Sequence, residues 1–309
     1  MRVVFLGTPA FALPSLNALI SSGHQIAAVF TQPDRPKGRG KQLAESPVKS
    51  AARAAGLAIY QPERIRTPET VELLKTLAAD VMVVIGYGQI IPQAIIDLPK
   101  HGILNVHASL LPKYRGAAPI QWAIANGETQ TGVIIMQIDA GLDTGDMLLK
   151  ASVPIGADET APQLSARLAA LGAGLLSEVL QQIRTESIHR EKQNEAEATY
   201  APVLKKEDGL IDWSRPARQI YDRLRGFAPW PGAYTTYRRQ QLLVLSAQIT
   251  EGSGASPGTL QADKGRLFAG CGQNSSLELL EVQLGGKKRI SAQAFVNGYQ
   301  PAQCERLGD

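Results

Sequence analysis

The sequence predicts an α/β fold: a Rossmann-like, doubly wound, mostly parallel sheet followed by a smaller, β-rich, barrel-like domain. Three observations carry that expectation. The first half alternates short apolar runs with helical patterns, the order of parallel strands and crossover helices. Beyond residue 198 the helical spacing gives way to short strand-like runs separated by Gly- and Ser-rich turns. At 309 residues the chain is long enough to build two cores.

The elements follow in order. Arg2 to Leu6 is an apolar first strand, and the segment around it has no small-residue cleavage site of a signal peptide. Leu13 to Ser22 has helical spacing, and Gln25 to Phe30 is a second strand. Ser46 to Ala55 and Pro68 to Ala79 are the next helices, the latter opened by Thr67 before a proline. Val81 to Ile85, Ile103 to His107 and Gly132 to Ile138 supply three further strands. A long helix runs from Ala161 to about Ile183. Thr160 with Gln163 fits a capping box there, and Leu164, Leu168, Leu171, Leu175 and Val179 form a core stripe. Glu186 to Ala198 is polar, either a linker or an exposed crossover. The runs "AYTTY", "QLLVLSAQI", "RLFAGC" and "LELLEVQL" then suggest a small β-barrel or sandwich. The resulting division is 1–189, a linker at 190–206, and 207–309.

Composition excludes several classes of protein. The apolar run Val81 to Ile85 stops at Gly86 and is too short to span a bilayer. Cys271 and Cys304 lie far apart, with no disulfide or metal spacing, so a cytoplasmic chain is expected. Gly7-Thr8-Pro9 follows the first strand, but G-x-G-x-x-G and the P-loop are both absent, which argues against a nicotinamide cofactor. The net charge is +4, and all of it lies late: residues 205–309 hold 14 Lys and Arg against 10 Asp and Glu, whereas residues 1–204 hold 18 of each. Such asymmetry suits an anionic partner held by the tail end.

Three stretches could carry chemistry. Strand side chains alternate faces, so Asn105 and His107 point the same way at a carboxyl-terminal strand end, where open α/β sheets bind ligands. The loop "DAGLDTGD" places Asp139, Asp143 and Asp146 among glycines; its spacing fails for calcium, since Lys150 stands at the twelfth position. One of these carboxylates could fold in against the imidazole. An amide, an imidazole and a carboxylate together suit acyl transfer. The first two would hold a developing oxyanion, and the third would take a proton from an attacking amine. With no Ser or Cys beside a recognisable base, direct transfer is favoured over a covalent acyl-enzyme. The third stretch is the basic loop "TQPDRPKGRGKQL", in which Pro and Gly separate Arg35, Lys37, Arg39 and Lys41. It is expected to stay free of helix and strand and to suit phosphate contacts.

"NVHASLLPKYRGAAPIQ" followed by "DAGLDTGDM" resembles the folate-dependent formyltransferases. The basic loop, "ADVMVVIGYGQIIP", "GLIDWSRPARQIYDRLRGFAPWPGAY" and the β-rich tail look like the branch whose acceptor is methionine carried on initiator tRNA. The resemblance implies a 10-formyltetrahydrofolate co-substrate, no metal and no nicotinamide. It puts Asn105, His107 and Asp143 on the catalytic amide, histidine and aspartate. Ser109, Leu110, Leu111 and Pro112 fall on the folate-binding segment, and Arg39, with its neighbours Lys37 and Lys41, on the loop beside the tRNA acceptor end. It also implies a catalytic domain followed by an OB-fold-like barrel that binds tRNA, in a monomer that needs no membrane. The competing enzyme is a formyltransferase for a nucleotide-linked amino sugar or other small amine, which would keep the three catalytic residues but need neither the loop nor the barrel. A noncatalytic RNA-binding protein would need no intact triad.

Overall fold

A computed structural model describes residues 1–37, 42–251 and 254–308. In chain order the elements are β1 (Arg2–Gly7), α1 (Leu13–Ser21), β2 (Gln25–Phe30), β3 (Arg35–Lys37), β4 (Gln42–Ala44), α2 (Pro47–Ala54), β5 (Ile59–Tyr60), α3 (Pro68–Thr76), β6 (Val81–Ile85), α4 (Gln93–Ile96), β7 (Ile103–His107), β8 (Arg115–Gly116), α5 (Pro119–Ala125), β9 (Gln130–Gln137), β10 (Met147–Pro154) and α6 (Ala161–Arg184). They are followed by β11 (Tyr200–Ala201), α7 (Ala217–Gly226), β12 (Ala233–Tyr237), β13 (Gln240–Thr250), β14 (Leu260–Asp263), β15 (Arg266–Cys271), β16 (Ser275–Leu284), β17 (Ile290–Ser291) and α8 (Ala292–Tyr299). Two compact units result. The first is Met1–Pro119, Gln130–Pro154 and Ser165–Pro202; the second is Ile120–Thr129, Ile155–Leu164 and Val203–Asp309. Residues 190–202, read from the sequence as linker, therefore belong to the first unit.

The first unit is built on a seven-stranded sheet ordered β10-β9-β7-β6-β1-β2-β5. β5, β2, β1, β6 and β7 are parallel, and β6 is buried along its whole length. The expected helices start where their caps require. Ser46 Oγ accepts from Lys49 N at 3.0 Å, and Thr67 Oγ1 from Thr70 N, each before a proline at the first helical position. Phe30, Leu74, Met82 and Ile95 are fully or almost fully buried in one core against this sheet.

Two expectations need correction. The strand expected at Gly132 to Ile138 is not another parallel one: β9 is antiparallel to β7, with His107 opposite Ile134 and Leu104 opposite Gln137. The chain leaves β7 at its carboxyl end and re-enters the sheet from that same end, so it must run back. The second correction concerns the basic loop, whose flanks are not irregular. Arg35–Lys37 pairs antiparallel with Gln42–Ala44, with Pro36 opposite Leu43. A lone two-stranded ribbon leaves one side of each strand unpaired, so a proline without an N–H is accommodated.

In the second unit β12-β13-β16-β15-β14 form an antiparallel sheet, and β17 pairs with β16. Register shifts around Ser246 let β13 bend. Its core gathers Trp213, Ile220, Tyr237, Leu242, Leu267, Leu279 and Phe295. Trp213 meets its one polar need inside that core, donating Nε1–H to Thr235 Oγ1 at 3.1 Å.

Candidate active site

β7 delivers Asn105 and His107 to one face at its carboxyl end, as side-chain alternation requires. Both neighbours of the strand are hydrogen-bonded: Asn105 lies opposite Val84 on one side and Met136 on the other. The backbone under the pair is thus held from both edges. His107 is buried at 5% exposure, and its ring is fixed at Nε2, which lies 3.0 Å from the Tyr114 carbonyl. A carbonyl only accepts, so Nε2 carries the hydrogen.

The acidic loop departs from β9 at the end opposite His107 and folds back over the face that Asn105 and His107 share. Gly145 permits this, since a Cβ there would lie 1.8 Å from the Gln137 carbonyl oxygen. Of the three carboxylates only Asp143 arrives at the pair. Its Oδ2 is 3.6 Å from His107 Nδ1 and accepts from the Gly116 N–H at 2.8 Å, while its Oδ1 is 3.4 Å from Asn105 Nδ2. Asp139 is used within the loop, accepting from Gly141 N at 3.0 Å and Thr144 Oγ1 at 2.6 Å. Asp143 has φ of +53°, a left-handed conformation that Asp tolerates better than most residues. The two contacts longer than 3.3 Å are loose and can tighten or be exchanged when a substrate oxygen arrives.

The segment 109–112 turns the chain directly after His107. Ser109 is fully buried and donates its hydroxyl to the Lys113 carbonyl at 2.6 Å. Leu111 packs with Ile134, Met136 and Met147, Pro112 is buried, and Leu110 is half-buried with Cδ2 close to Gly132. Of the basic loop, Lys37 stands in β3, whereas Arg39 and Lys41 lie outside the described residues. The ribbon is anchored just before it begins. Lys49 Nζ and Gln61 Nε2 both donate to the Asp34 carboxylate, and the Lys49 bond holds that carboxyl below the usual range.

Several groups around the triad carry no mark in the sequence. The Tyr114 carbonyl and the Gly116 N–H are main-chain atoms. Others come from the polar stretch after α6. Thr199 accepts from Tyr114 N through Oγ1 at 2.9 Å, and β11 pairs in parallel with β8, Tyr200 opposite Arg115. Arg115 is 1% exposed and donates to Gln193 and Glu195; the Glu195 bond raises the guanidinium pKa and depresses that of the carboxyl. Gln193 in turn donates to the Asp143 and Gly145 carbonyls. The only sequence signal was a polar stretch that reads as solvated; a two-residue strand has no periodicity to detect.

Among the described residues no group of three or more His, Cys, Asp and Glu could hold a metal ion, and no helix is long and apolar enough to cross a membrane.

Comparison with known proteins agrees with this chemistry. Residues 1–180 match the formyl transferase family, and residues 203–300 match the formyl transferase C-terminal domain. The methionyl-tRNA formyltransferase of Solibacter usitatus is 56% identical, covering 100% of this chain and 99% of its own. That of Koribacter versatilis is 54% identical over the same shares. Among solved structures, an N-formyltransferase from Helicobacter canadensis, in complex with folinic acid and dTDP-3-aminofucose, aligns with a TM-score of 0.69 at 18% identity. The alignment covers 92% of this chain and 100% of that one. At that identity the likeness concerns the fold alone.

Proposed function

The chain belongs to the methionyl-tRNA formyltransferase branch of the formyl transferase family, and from that premise we propose that it transfers the formyl group of 10-formyltetrahydrofolate to the α-amine of methionyl initiator tRNA. The observation that carries the chemistry is the convergence of Asn105 and His107 on Asp143 over the face of β7.

The amine attacks the formyl carbon, and the carbonyl oxygen gains charge. The Asn105 amide and His107 Nδ1–H, with the ring as the imidazolium that donates from both nitrogens, face that oxygen from one side, exchanging their loose contacts with Asp143 for shorter ones to the oxyanion. Asp143 takes the proton released by the attacking amine and is held for that task by the Gly116 N–H. Collapse of the tetrahedral intermediate expels the folate N10, which takes that proton from Asp143 as the C–N bond breaks and returns the carboxylate to its starting state. His107 keeps its orientation throughout, because Nε2–H remains on the Tyr114 carbonyl. Ser109 to Pro112 form the adjoining wall for the folate.

Lys37, Arg39 and Lys41 contact phosphates near the acceptor end, and the C-terminal unit, with its surplus of Lys and Arg, supplies sequence-independent tRNA affinity. The triad comes from a single chain, which supports action as a monomer, and a substrate used to initiate translation supports a cytoplasmic reaction. Formyl transfer with charged initiator tRNA, charged elongator tRNA and a nucleotide-linked amino sugar as competing acceptors tests the reading. Formylation of the initiator tRNA first is the expected result; preference for the amino sugar overturns it.

A further inference from the structure

Gln193 lies 50 residues from Asp143 in sequence, yet its side-chain amide is committed entirely to the neighbourhood of that residue. Nε2 donates to the Asp143 carbonyl at 2.7 Å and to the Gly145 carbonyl at 2.8 Å. Oε1 accepts from Arg115 Nε at 3.1 Å and from an Arg115 Nη2 at 2.8 Å. Arg115 is itself immobilised, buried at 1% exposure and held by both oxygens of Glu195 at 2.7 and 2.8 Å.

We propose that Gln193 is a positioning residue for formyl transfer that acts through Asp143. The loop from Gly141 to Asp146 has no regular structure to hold it, and Asp143 sits at φ of +53°. By pinning the carbonyls on either side of Thr144, the amide fixes the backbone from which the Asp143 carboxylate projects. The carboxylate then stays within reach of Asn105, His107 and the Gly116 N–H. Gln193 touches no reacting atom. The position demands an amide: one end faces two acceptors and the other a guanidinium, so a carboxylate serves only Arg115 and an apolar chain serves neither. This rests on the catalytic role given to Asp143 above.

The test is steady-state formyl transfer by the full chain with Gln193→Met and Gln193→Glu, each built beside Asp143 and beside Asp143→Asn. Both variants lack the N–H donors, and both are expected to lower kcat about tenfold or more with KM for the acceptor changed less than about twofold. Beside Asp143→Asn the same changes are expected to alter the residual rate less than about twofold, because the group they position is gone. Gln193→Glu keeps an acceptor for Arg115, so recovery of parental kcat by that variant would show that Gln193 serves the guanidinium alone and would overturn the proposal. Equal losses in both backgrounds, or a rise in KM at constant kcat, would overturn it too. Should the Asp143→Asn rate be too low to follow, exchange of the Gly116 amide hydrogen decides. Faster exchange in Gln193→Met supports the proposal, and unchanged protection overturns it. Failure of the premise is separately visible, since Asp143→Asn alone would then retain the parental rate.

Discussion

Replacing Gly116 with alanine should injure stability and chemistry together. Gly116 has φ of +119°, and a Cβ placed on it would lie 2.7 Å from the Ala201 carbonyl oxygen. That oxygen cannot retreat freely, because it accepts from Ala117 N at 2.9 Å and Ala118 N at 3.2 Å. Strained backbone of this kind costs on the order of 1–3 kcal/mol. With the contact added, a loss of about 2–3 kcal/mol is expected, or roughly 4–12 °C in the melting midpoint at about 2–4 °C per kcal/mol. The Gly116 N–H is also the shortest hydrogen bond to the Asp143 carboxylate, at 2.8 Å. A hydrogen bond to a charged group contributes about 1.5–3 kcal/mol, so displacing it should lower kcat roughly 10- to 150-fold. Thermal melting and formyl transfer on the same preparation read both quantities. A midpoint within about 1 °C of the parent and a kcat within about twofold would refute the reasoning from φ and close approach.

Three further outcomes are expected. In the C-terminal unit Asp222 is 3% exposed and bonded to Arg218 and to the equally buried Arg225, so Asp222→Ala strands a buried cation. It should cost about 3–5 kcal/mol by denaturant titration, and less when Arg225→Met accompanies it. Glu278 is 6% exposed, and its carboxyl is held below the ordinary range first by hydrogen bonding to Arg266, with Gln248 also contributing. Its folded pKa lies below the unfolded value of about 4.3, so its stabilisation is present above that pH and is lost as pH falls through the folded pKa. The melting midpoint of Glu278→Gln should therefore fall less steeply below about pH 4 than that of the parent. Neutralising Lys37, Arg39 and Lys41 together should reduce the log–log salt slope of tRNA affinity by about 2 and leave folate binding unchanged; an unaltered slope removes the loop from the phosphate contacts.

Much of the first unit was legible because its central strands β1, β6 and β9 are buried on both faces and several of its helices carry local start signals. Ser46 and Thr67 cap as their sequences imply. At Thr160 the Gln163 side chain reaches back as a capping box requires: its Oε1 accepts from Thr160 N at 2.9 Å and from the threonine hydroxyl at 2.8 Å. The direction of β9 was hidden, because direction depends on which end of the sheet the chain re-enters and apolar periodicity does not record it. In the site, alternation alone paired Asn105 with His107. Choosing Asp143 over Asp139 and Asp146 by residue type was impossible; the resemblance singled it out, and the folding of the loop over β7 brings it to the pair. Gln193, Arg115 and Thr199 escaped notice for another reason. Gln193 and Thr199 bind main-chain atoms distant in sequence, Arg115 binds side chains about as far away, and nothing in a polar stretch distinguishes a carbonyl-binding amide from a solvated one.

The central claim, that Asn105, His107 and Asp143 act as one catalytic unit, is tested most directly by single-turnover formyl transfer from 10-formyltetrahydrofolate to methionyl initiator tRNA. The variants are Asn105→Ala, His107→Ala and Asp143→Asn, with circular dichroism to show that each remains folded. Each is expected to slow the chemical step by roughly 100- to 1,000-fold, the usual cost of losing one group that stabilises a developing oxyanion. Doubled variants are expected to lose far less than the product of the single losses. A folded His107→Ala protein that transfers formyl within about threefold of the parental rate would contradict the account, because the imidazole would then stabilise nothing in the transition state.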